Sequence, residues 1–161
     1  MDPRLATLAH TLSLNTRLLQ NCLAGVDDTL ALRRLTADTN SMTFLVAHLI
    51  DARHFLADLL GVPLPNPLAA IVEYGKSQDD IGELPPVADL LAMWQRIGAH
   101  LDAALPSITS ERLDVESGPR FPIADRTLLG SVAFLVQHDS YHLGQLSLLR
   151  RALGLPAMSY K

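Results

Sequence analysis

Apolar residues recur at three- and four-residue intervals over four long stretches of this 161-residue chain, and a proline or glycine follows each stretch. This spacing places the apolar side chains on one face of an α-helix. Leucine and alanine dominate the apolar residues and only 5% of the chain is aromatic. Both features favour helices over strands. We therefore predict an all-α fold in the form of a four-helix bundle.

Capping residues and helix breakers predict the ends of the four helices. The first follows Asp2 and fades at Gly25, the second follows Asn40 or Ser41 and runs to Gly61, the third lies between Pro86 and Pro106, and the fourth runs from Thr127 to Gly154.

The connection between the second and third predicted helices, residues 61–86, is long and rich in proline, with one short helix predicted around residues 68–74. A connection of this length can run the full length of a bundle, so the two helices it joins can be parallel. Residues 109–126 form a second irregular stretch. No internal repeat divides the sequence, and we predict one domain over residues 1–161.

Charge and composition exclude several classes of partner. The net charge is −4 and no run of lysine or arginine occurs, which argues against nucleic acid and anionic membranes. No apolar run reaches the ~20 residues of a membrane span, and the N-terminus lacks the apolar block of a signal peptide. Cys22 is the only cysteine, so no disulfide framework exists within the chain. We predict that Cys22 is a small core residue. These features predict a cytoplasmic location.

The six histidines can be sorted by helical face, because each residue advances about 100° around the helix axis. His48 lies in the middle of the apolar face of the second predicted helix. His138 and His142 lie four residues apart on the apolar face of the fourth, so their rings are stacked on the same side. The remaining three are predicted to lie off the apolar faces: His10, His54 and His100.

Three imidazoles that face an apolar core are costly unless their nitrogens are satisfied. Two rings on one helix can point at a single site, and a third from a facing helix can complete a set that suits zinc, nickel, iron or copper. Three protein ligands leave coordination positions for water or substrate. We predict that His48, His138 and His142 bind a divalent metal ion. Each histidine could instead be a core residue bonded to a backbone carbonyl or a buried water.

The pair His138 and His142 has the spacing of the zinc-protease helix, in which glutamate follows the first histidine as general base. Asp139, a shorter acid, occupies that position here. The third histidine also lies far upstream rather than shortly downstream. Both departures disfavour a protease.

Two segments of the sequence resemble the DinB superfamily, whose members form metal-binding helical bundles. Residues 40–49 (NSMTFLVAHL) resemble the family's second-helix segment, which contains a ligand histidine. Residues 135–146 (LVQHDSYHLGQL) resemble its fourth-helix segment, with paired histidines followed by Gly-Gln. Tyr74-Gly75 and residues 84–94 are also similar, so the resemblance covers nearly the whole chain.

The resemblance implies up-down-down-up helix order, a homodimer, and His48, His138 and His142 as ligands of zinc, nickel, iron or manganese. Better-understood members are thiol-dependent: transferases that use bacillithiol or mycothiol, and a mycothiol-dependent maleylpyruvate isomerase. It therefore implies a metal-dependent enzyme that acts on a small molecule with a low-molecular-weight thiol as cofactor. The alternative is a metal-binding, stress-associated bundle without catalysis.

Four polar residues flank the predicted ligands. Gln145 lies one turn beyond His142 and either contacts a water or substrate oxygen at the metal or packs against a neighbouring helix. Asp51 and Asp139 either accept the free ring N–H of a ligand or lie in solvent. Tyr141 either reaches the substrate or packs beside the site.

Three more polar residues are candidates at a greater distance. Asn15 interrupts the apolar face of the first helix and is a candidate buried polar partner. Arg120 and Arg126 precede the fourth helix, and either bind a substrate carboxylate or lie on the surface.

The fourth predicted helix is apolar beyond its core face, because Val132, Val136 and Leu143 lie outside that face. A helix that is apolar on several sides is buried on several sides. We therefore predict a homodimer interface on this helix, although the first helix alone could fill the same groove.

Overall fold

In the computed structural model, residues 1–72, 76–119 and 121–161 are described, and they are helical without strands apart from one isolated bridge between Glu116 and Thr127. The prediction of an all-α fold is confirmed. No helix among these residues is both long and apolar enough to cross a membrane. The α-helices are α1 (Pro3–Leu23), α2 (Asp28–Ala31), α3 (Met42–Leu60), α4 (Val87–Ala104), α5 (Ser110–Leu113) and α6 (Leu128–Ala152), with 3-10 turns at Gln78–Asp80 and Leu105–Ser107.

Capping side chains start the three helices that contribute most to the site described below. The Asp2 carboxylate accepts a hydrogen bond from the Arg4 backbone N–H, and Pro3 follows at the first helical position. The Ser41 and Thr127 hydroxyl oxygens accept from backbone N–H groups at the starts of α3 and α6. Each such cap stabilises its helix by about 1 kcal/mol. The four long helices begin and end within one or two residues of the predicted positions.

The core consists of two clusters of aliphatic side chains, one at each end of the bundle. The first contains Trp94 and joins the C-terminal halves of α1 and α6 to the N-terminal halves of α3 and α4. The second contains Ile97 and joins the opposite half of each helix. Helices α3 and α4 thus run from the first cluster to the second, and α1 and α6 run from the second to the first.

The connections contain two short helices, α2 and α5, that the periodicity does not predict. Residues 68–72 form a hydrogen-bonded turn rather than the predicted short helix. The rest of that prediction, with Tyr74-Gly75, lies outside the described residues.

The loop after α3 buries a histidine that the sequence places off the apolar face. The φ of +77° at Gly61 ends the helix, and the chain then folds back over α3. Nδ1 of His54 lies 2.9 Å from the Leu64 carbonyl oxygen, and His54 is only 4% exposed. Nε2 of His100 lies 2.7 Å from the Val62 carbonyl oxygen in the same loop. The burial of His54 does not follow from its predicted position off the apolar face, because it arises from the returning loop that covers that side of the helix.

The additional apolar residues of α6 are also covered within one chain. Val132, Val136 and Leu143 are all buried in the two core clusters. Gly130 packs against the loop before the helix, where a Cβ would lie 2.6 Å from the Asp125 carbonyl oxygen. These side chains therefore do not require a second subunit to bury them.

Candidate metal centre

The three predicted ligands converge between α3 and α6. Nε2 of His48 lies 3.0 Å from Nε2 of His138, and Nε2 of His142 lies 3.1 Å from the same atom. The candidate ligand atoms of the three residues all lie within 4.8 Å of one another. The rings are half-buried, so the cluster sits at the edge of the core rather than inside it.

Gln145 determines the protonation of one ring. Its side-chain oxygen lies 2.6 Å from Nδ1 of His142, and its nitrogen donates to the Tyr141 hydroxyl oxygen at 3.3 Å. An amide oxygen can only accept, so the His142 Nδ1 carries the hydrogen. The neutral ring then presents a lone pair at Nε2, which is the form that binds a metal.

The contacts among the Nε2 atoms fit a bound cation better than hydrogen bonds among histidines. The Nε2 of His138 faces both other Nε2 atoms, but a ring nitrogen of neutral imidazole is either a donor or an acceptor. With a lone pair on the His142 Nε2, a single proton cannot serve both contacts well. Metal–nitrogen bonds of about 2.0–2.1 Å would place neighbouring ligand atoms about 3.0–3.4 Å apart. The observed separations of 3.0 and 3.1 Å match that spacing.

Burial keeps the three imidazoles neutral. It lowers the pKa of His48 and of His138 from 6.5 to about 4, and the neighbouring His142 adds to both shifts. Burial also lowers the pKa of His142. Protons compete with metal ions for imidazole nitrogens, so these lowered pKa values favour metal binding at neutral pH.

The other nitrogen of the His138 ring, Nδ1, is buried and has no hydrogen-bond partner among the described residues. An uncharged His138 with both nitrogens poorly satisfied is costly in an apolar setting. Coordination through Nε2 would offset that cost.

The family model of the DinB superfamily matches residues 11–146, a range that includes all three histidines. The chain belongs to the DinB superfamily. Among curated proteins, none matches it.

In this DinB chain, an ion pair that sequence reasoning missed lies behind the histidines. Arg53 on α3 and Asp139 on α6 are each 1% exposed. Two guanidinium nitrogens of Arg53 donate to Oδ2 of Asp139 at 2.9 and 2.8 Å, and a third donates to the Thr16 hydroxyl at 2.6 Å. The guanidinium carbon lies 3.5 Å from the centre of the Trp94 ring. Arg53 is the only lysine or arginine of α3. A single basic residue in a largely apolar helix is the one feature of the sequence that points to this ion pair.

The two carboxylates proposed to orient the DinB ligands have other partners. Asp139 pairs with Arg53 rather than with a ring N–H. Oδ1 of Asp51 accepts from the Asn66 side chain at 2.7 Å, and burial raises the Asp51 pKa. Of the four flanking candidates, Gln145 is thus the one whose side chain contacts a ligand nitrogen.

Of two further candidates, Tyr141 borders the histidines and Asn15 is a buried polar residue. The Tyr141 ring contacts His142 edge-on at 5.0 Å between centroids and is 58% exposed. Asn15 is 3% exposed and donates from its side chain to the Ser140 hydroxyl oxygen at 3.0 Å. Asn15 is therefore a buried polar link between α1 and α6.

Arg126 and Cys22, two of the remaining candidates, have partners away from the three histidines. Arg126 donates to the Phe121 carbonyl oxygen at 3.0 Å and so holds the loop before α6. Arg120 lies outside the described residues. Cys22 is buried in the first core cluster, as predicted, and burial raises its pKa to about 11.

Proposed function

We propose that the chain binds a divalent metal ion through His48, His138 and His142, and that it is a metal-dependent enzyme acting on a small molecule. The observation that carries the proposal is the convergence of three half-buried imidazoles from two helices. No other histidine, cysteine, aspartate or glutamate among the described residues joins this group. A site with three protein ligands has room for an exchangeable ligand, as catalytic metal sites do.

The proposed chemistry is thiol-dependent S-transfer or isomerisation, in keeping with membership of the DinB superfamily. Zinc, nickel, iron or manganese would supply Lewis acidity, which lowers the pKa of a coordinated thiol or water. Gln145 would keep His142 in its ligating tautomer. The exposed Tyr141 hydroxyl, which already accepts from Gln145, can donate its own hydrogen to a substrate oxygen.

The thiol of the proposed reaction has to be a separate, low-molecular-weight molecule. Cys22 is the only cysteine of the chain, is fully buried and has a raised pKa. A buried thiol with a raised pKa is a poor nucleophile. In the transfer reaction, the added thiol loses its proton, its sulfur forms a bond to an electrophilic carbon, and the leaving group departs with the electron pair of the broken bond.

The metal content of purified single variants tests this proposal. Protein purified without nickel-affinity chromatography should hold about one metal ion per chain. Most of this metal should be lost in each of three variants: His48→Ala, His138→Ala and His142→Ala. His10→Ala, His54→Ala and His100→Ala are the matched controls and should retain it. Near-stoichiometric metal in His138→Ala and His142→Ala would overturn the proposal. A metal-loaded protein without turnover in a screen of thiols and electrophiles would favour the non-catalytic, stress-associated alternative.

We also propose a single domain with up-down-down-up helix order. The distribution of the two core clusters supports this order, since α3 and α4 run from the first cluster to the second and α1 and α6 run the other way. Every long helix contributes to both clusters, which supports one folding unit.

A homodimer is the proposed assembly. Because the apolar residues Val132, Val136 and Leu143 are buried within one chain, support comes instead from the exposed Tyr141 and Leu148 of α6, at 58% and 64% exposure. Light scattering that gives only the 17.5 kDa of one chain at micromolar concentration would contradict it.

A further inference from the structure

The phenylalanines of this chain are concentrated around the three histidines. Only four occur in the sequence. The Phe44 ring lies parallel to that of His48 at 6.3 Å between centroids, and the Phe134 ring lies 6.3 Å from that of His138. The other two continue outward from Phe134: Phe121 stacks on Phe134 at 4.4 Å and Phe55 meets Phe121 edge-on at 6.4 Å.

Three of these rings form a row that ends at a predicted ligand, and none of the three is fully buried. We call Phe55, Phe121 and Phe134 the aromatic row. Phe55 is 39% exposed, and the other two are half-buried with one side against the second core cluster. The remainder of the core is almost entirely aliphatic. Because none of the three rings is fully buried, their outer sides are accessible to a ligand.

A cavity of about 540 Å³ that is open to solvent lies at the surface beside the row. Its lining comprises residues 122–125 of the loop before α6 together with Gly130, Ala133, Phe134 and Gln137. This volume is within the usual range of small-molecule sites. Phe134 belongs to both the cavity and the row, and it lies one helical turn before His138. A molecule in the cavity would therefore lie against the same ring that contacts the histidine cluster.

The charge of the cavity lining limits the charge of a molecule that binds there. Asp125 is the one charged residue among the described residues that line the cavity. An exposed aspartate is ionised at neutral pH, and hydrogen bonds from the backbone N–H and hydroxyl of Thr127 lower the pKa of Asp125 further. A carboxylate on the bound group would be repelled there, whereas an uncharged aromatic ring would not.

We propose that the substrate of the three-histidine site carries an uncharged aromatic group, which binds against Phe134 and Phe121 while the reacting group lies beside His138. This inference rests on the proposed metal-dependent function. Aromatic rings attract one another in offset-stacked and edge-on arrangements at centroid separations of about 4.5–7 Å. The row presents ring faces and edges that can extend such contacts to a bound ring.

Three hydroxamates that differ in one substituent test the proposal by binding rather than by turnover. The hydroxamate group chelates divalent metals, and the substituents are methyl (acetohydroxamate), cyclohexyl (cyclohexanecarbohydroxamate) and phenyl (benzohydroxamate). Dissociation constants are measured by calorimetry on zinc-loaded protein. We expect benzohydroxamate to bind about 10- to 100-fold more tightly than acetohydroxamate, and more tightly than the cyclohexyl compound.

Substitutions in the aromatic row locate the preference. Phe134→Ala and Phe121→Ala should reduce the phenyl-over-methyl preference, because each weakens benzohydroxamate binding more than acetohydroxamate binding. Phe121→Leu retains apolar bulk and should reduce only the phenyl-over-cyclohexyl preference. Leu32→Ala removes an exposed apolar side chain after α2, outside the row, and should change neither ratio.

Each outcome identifies which claim fails. Equal affinity for the phenyl and methyl compounds, or a preference that survives both alanine variants, would overturn the aromatic site. Equal affinity for the phenyl and cyclohexyl compounds would show an apolar rather than an aromatic site. If zinc does not load and none of the hydroxamates binds, the proposed metal centre itself fails and this inference fails with it.

Discussion

Two polar clusters lie between the same pair of helices, and they differ in how their atoms are satisfied. Each guanidinium nitrogen of Arg53 has an acceptor in Asp139, Thr16 or the Leu12 carbonyl. The histidine cluster instead brings Nε2 atoms face to face and leaves Nδ1 of His138 without a partner among the described residues. The ion pair is complete within the protein, whereas the histidine cluster has ring nitrogens that could hold a metal ion. This difference indicates that Arg53 and Asp139 stabilise the fold, whereas the three histidines are candidates for ligand binding.

The largest expected effect comes from breaking the complete cluster. Arg53→Met leaves the Asp139 carboxylate buried without its partner and should lower the free energy of unfolding by about 3–5 kcal/mol. Denaturant unfolding of the metal-free protein measures this loss. A change below about 1 kcal/mol would show that the carboxylate becomes protonated or hydrated at little cost.

The double variant Arg53→Met/Asp139→Leu is the matched control. It removes both charges and fills the space with apolar side chains, so it should recover most of the stability lost in the single variant. If the double variant is as unstable as Arg53→Met, then lost packing against Trp94, rather than an unpaired charge, accounts for the loss.

The second expected effect concerns the incomplete cluster. Gln145→Ala removes the acceptor of the His142 Nδ1 hydrogen and should weaken zinc binding about 10- to 100-fold. Competition with a zinc chelator measures the affinity. Gln137→Ala, which changes an exposed glutamine of the same helix, should leave zinc affinity unchanged. Equal affinity in Gln145→Ala and the unsubstituted protein would contradict the orienting role of Gln145.

A third effect is the pH dependence of the metal-free protein. The pKa values of His48 and His138 are about 4 in the folded chain against an ordinary 6.5. Between these values the unfolded state binds more protons than the folded state, so stability falls as pH decreases from about 6.5 to 4. Unfolding free energies across this window provide the measurement. His138→Gln should show a shallower slope, and a slope unchanged in that variant would exclude His138 as its source.

The smallest expected effect is that of Tyr141→Phe. The variant keeps the ring beside His142 but removes the oxygen that accepts from the Gln145 nitrogen at 3.3 Å. This hydrogen bond is long and exposed, so its loss should weaken zinc affinity by no more than about threefold. A loss as large as that of Gln145→Ala would show that Tyr141 is needed to hold the amide in place.

The long helices and the histidine set could be predicted because both follow from periodicity. Ser41 and Gly61 mark the ends of α3, and the four-residue spacing of His138 and His142 puts both rings on one face. Arg53 is the only lysine or arginine of α3, but its burial could not be predicted from that alone, because it depends on Thr16 and Trp94, which α1 and α4 bring to it. Helix-face arguments describe one helix at a time, whereas such burial depends on how several helices cross.

The burial of His54 could not be predicted for a related reason. The loop that covers it, residues 62–66, is proline-rich and has no repeating pattern from which its path can be predicted. The clustering of the phenylalanines could not be predicted either, since Phe55 and Phe121 are far apart in sequence and meet only when the loop before α6 packs against α3.

The placement of the ligands on α3 and α6 makes a bound ion a cross-link within the chain. His48 and His138 are 90 residues apart in sequence, so an ion shared by them closes a loop that contains the whole of α4, although α4 supplies no ligand. Closing a loop of this length restricts the unfolded chain if the ion stays bound, and an ion that binds only the folded state stabilises it by mass action. Chelation of the metal would then lower the free energy of unfolding of the whole bundle, including α4, which packs in both core clusters. The rate of proteolytic digestion would therefore report metal occupancy without any measurement at the histidines.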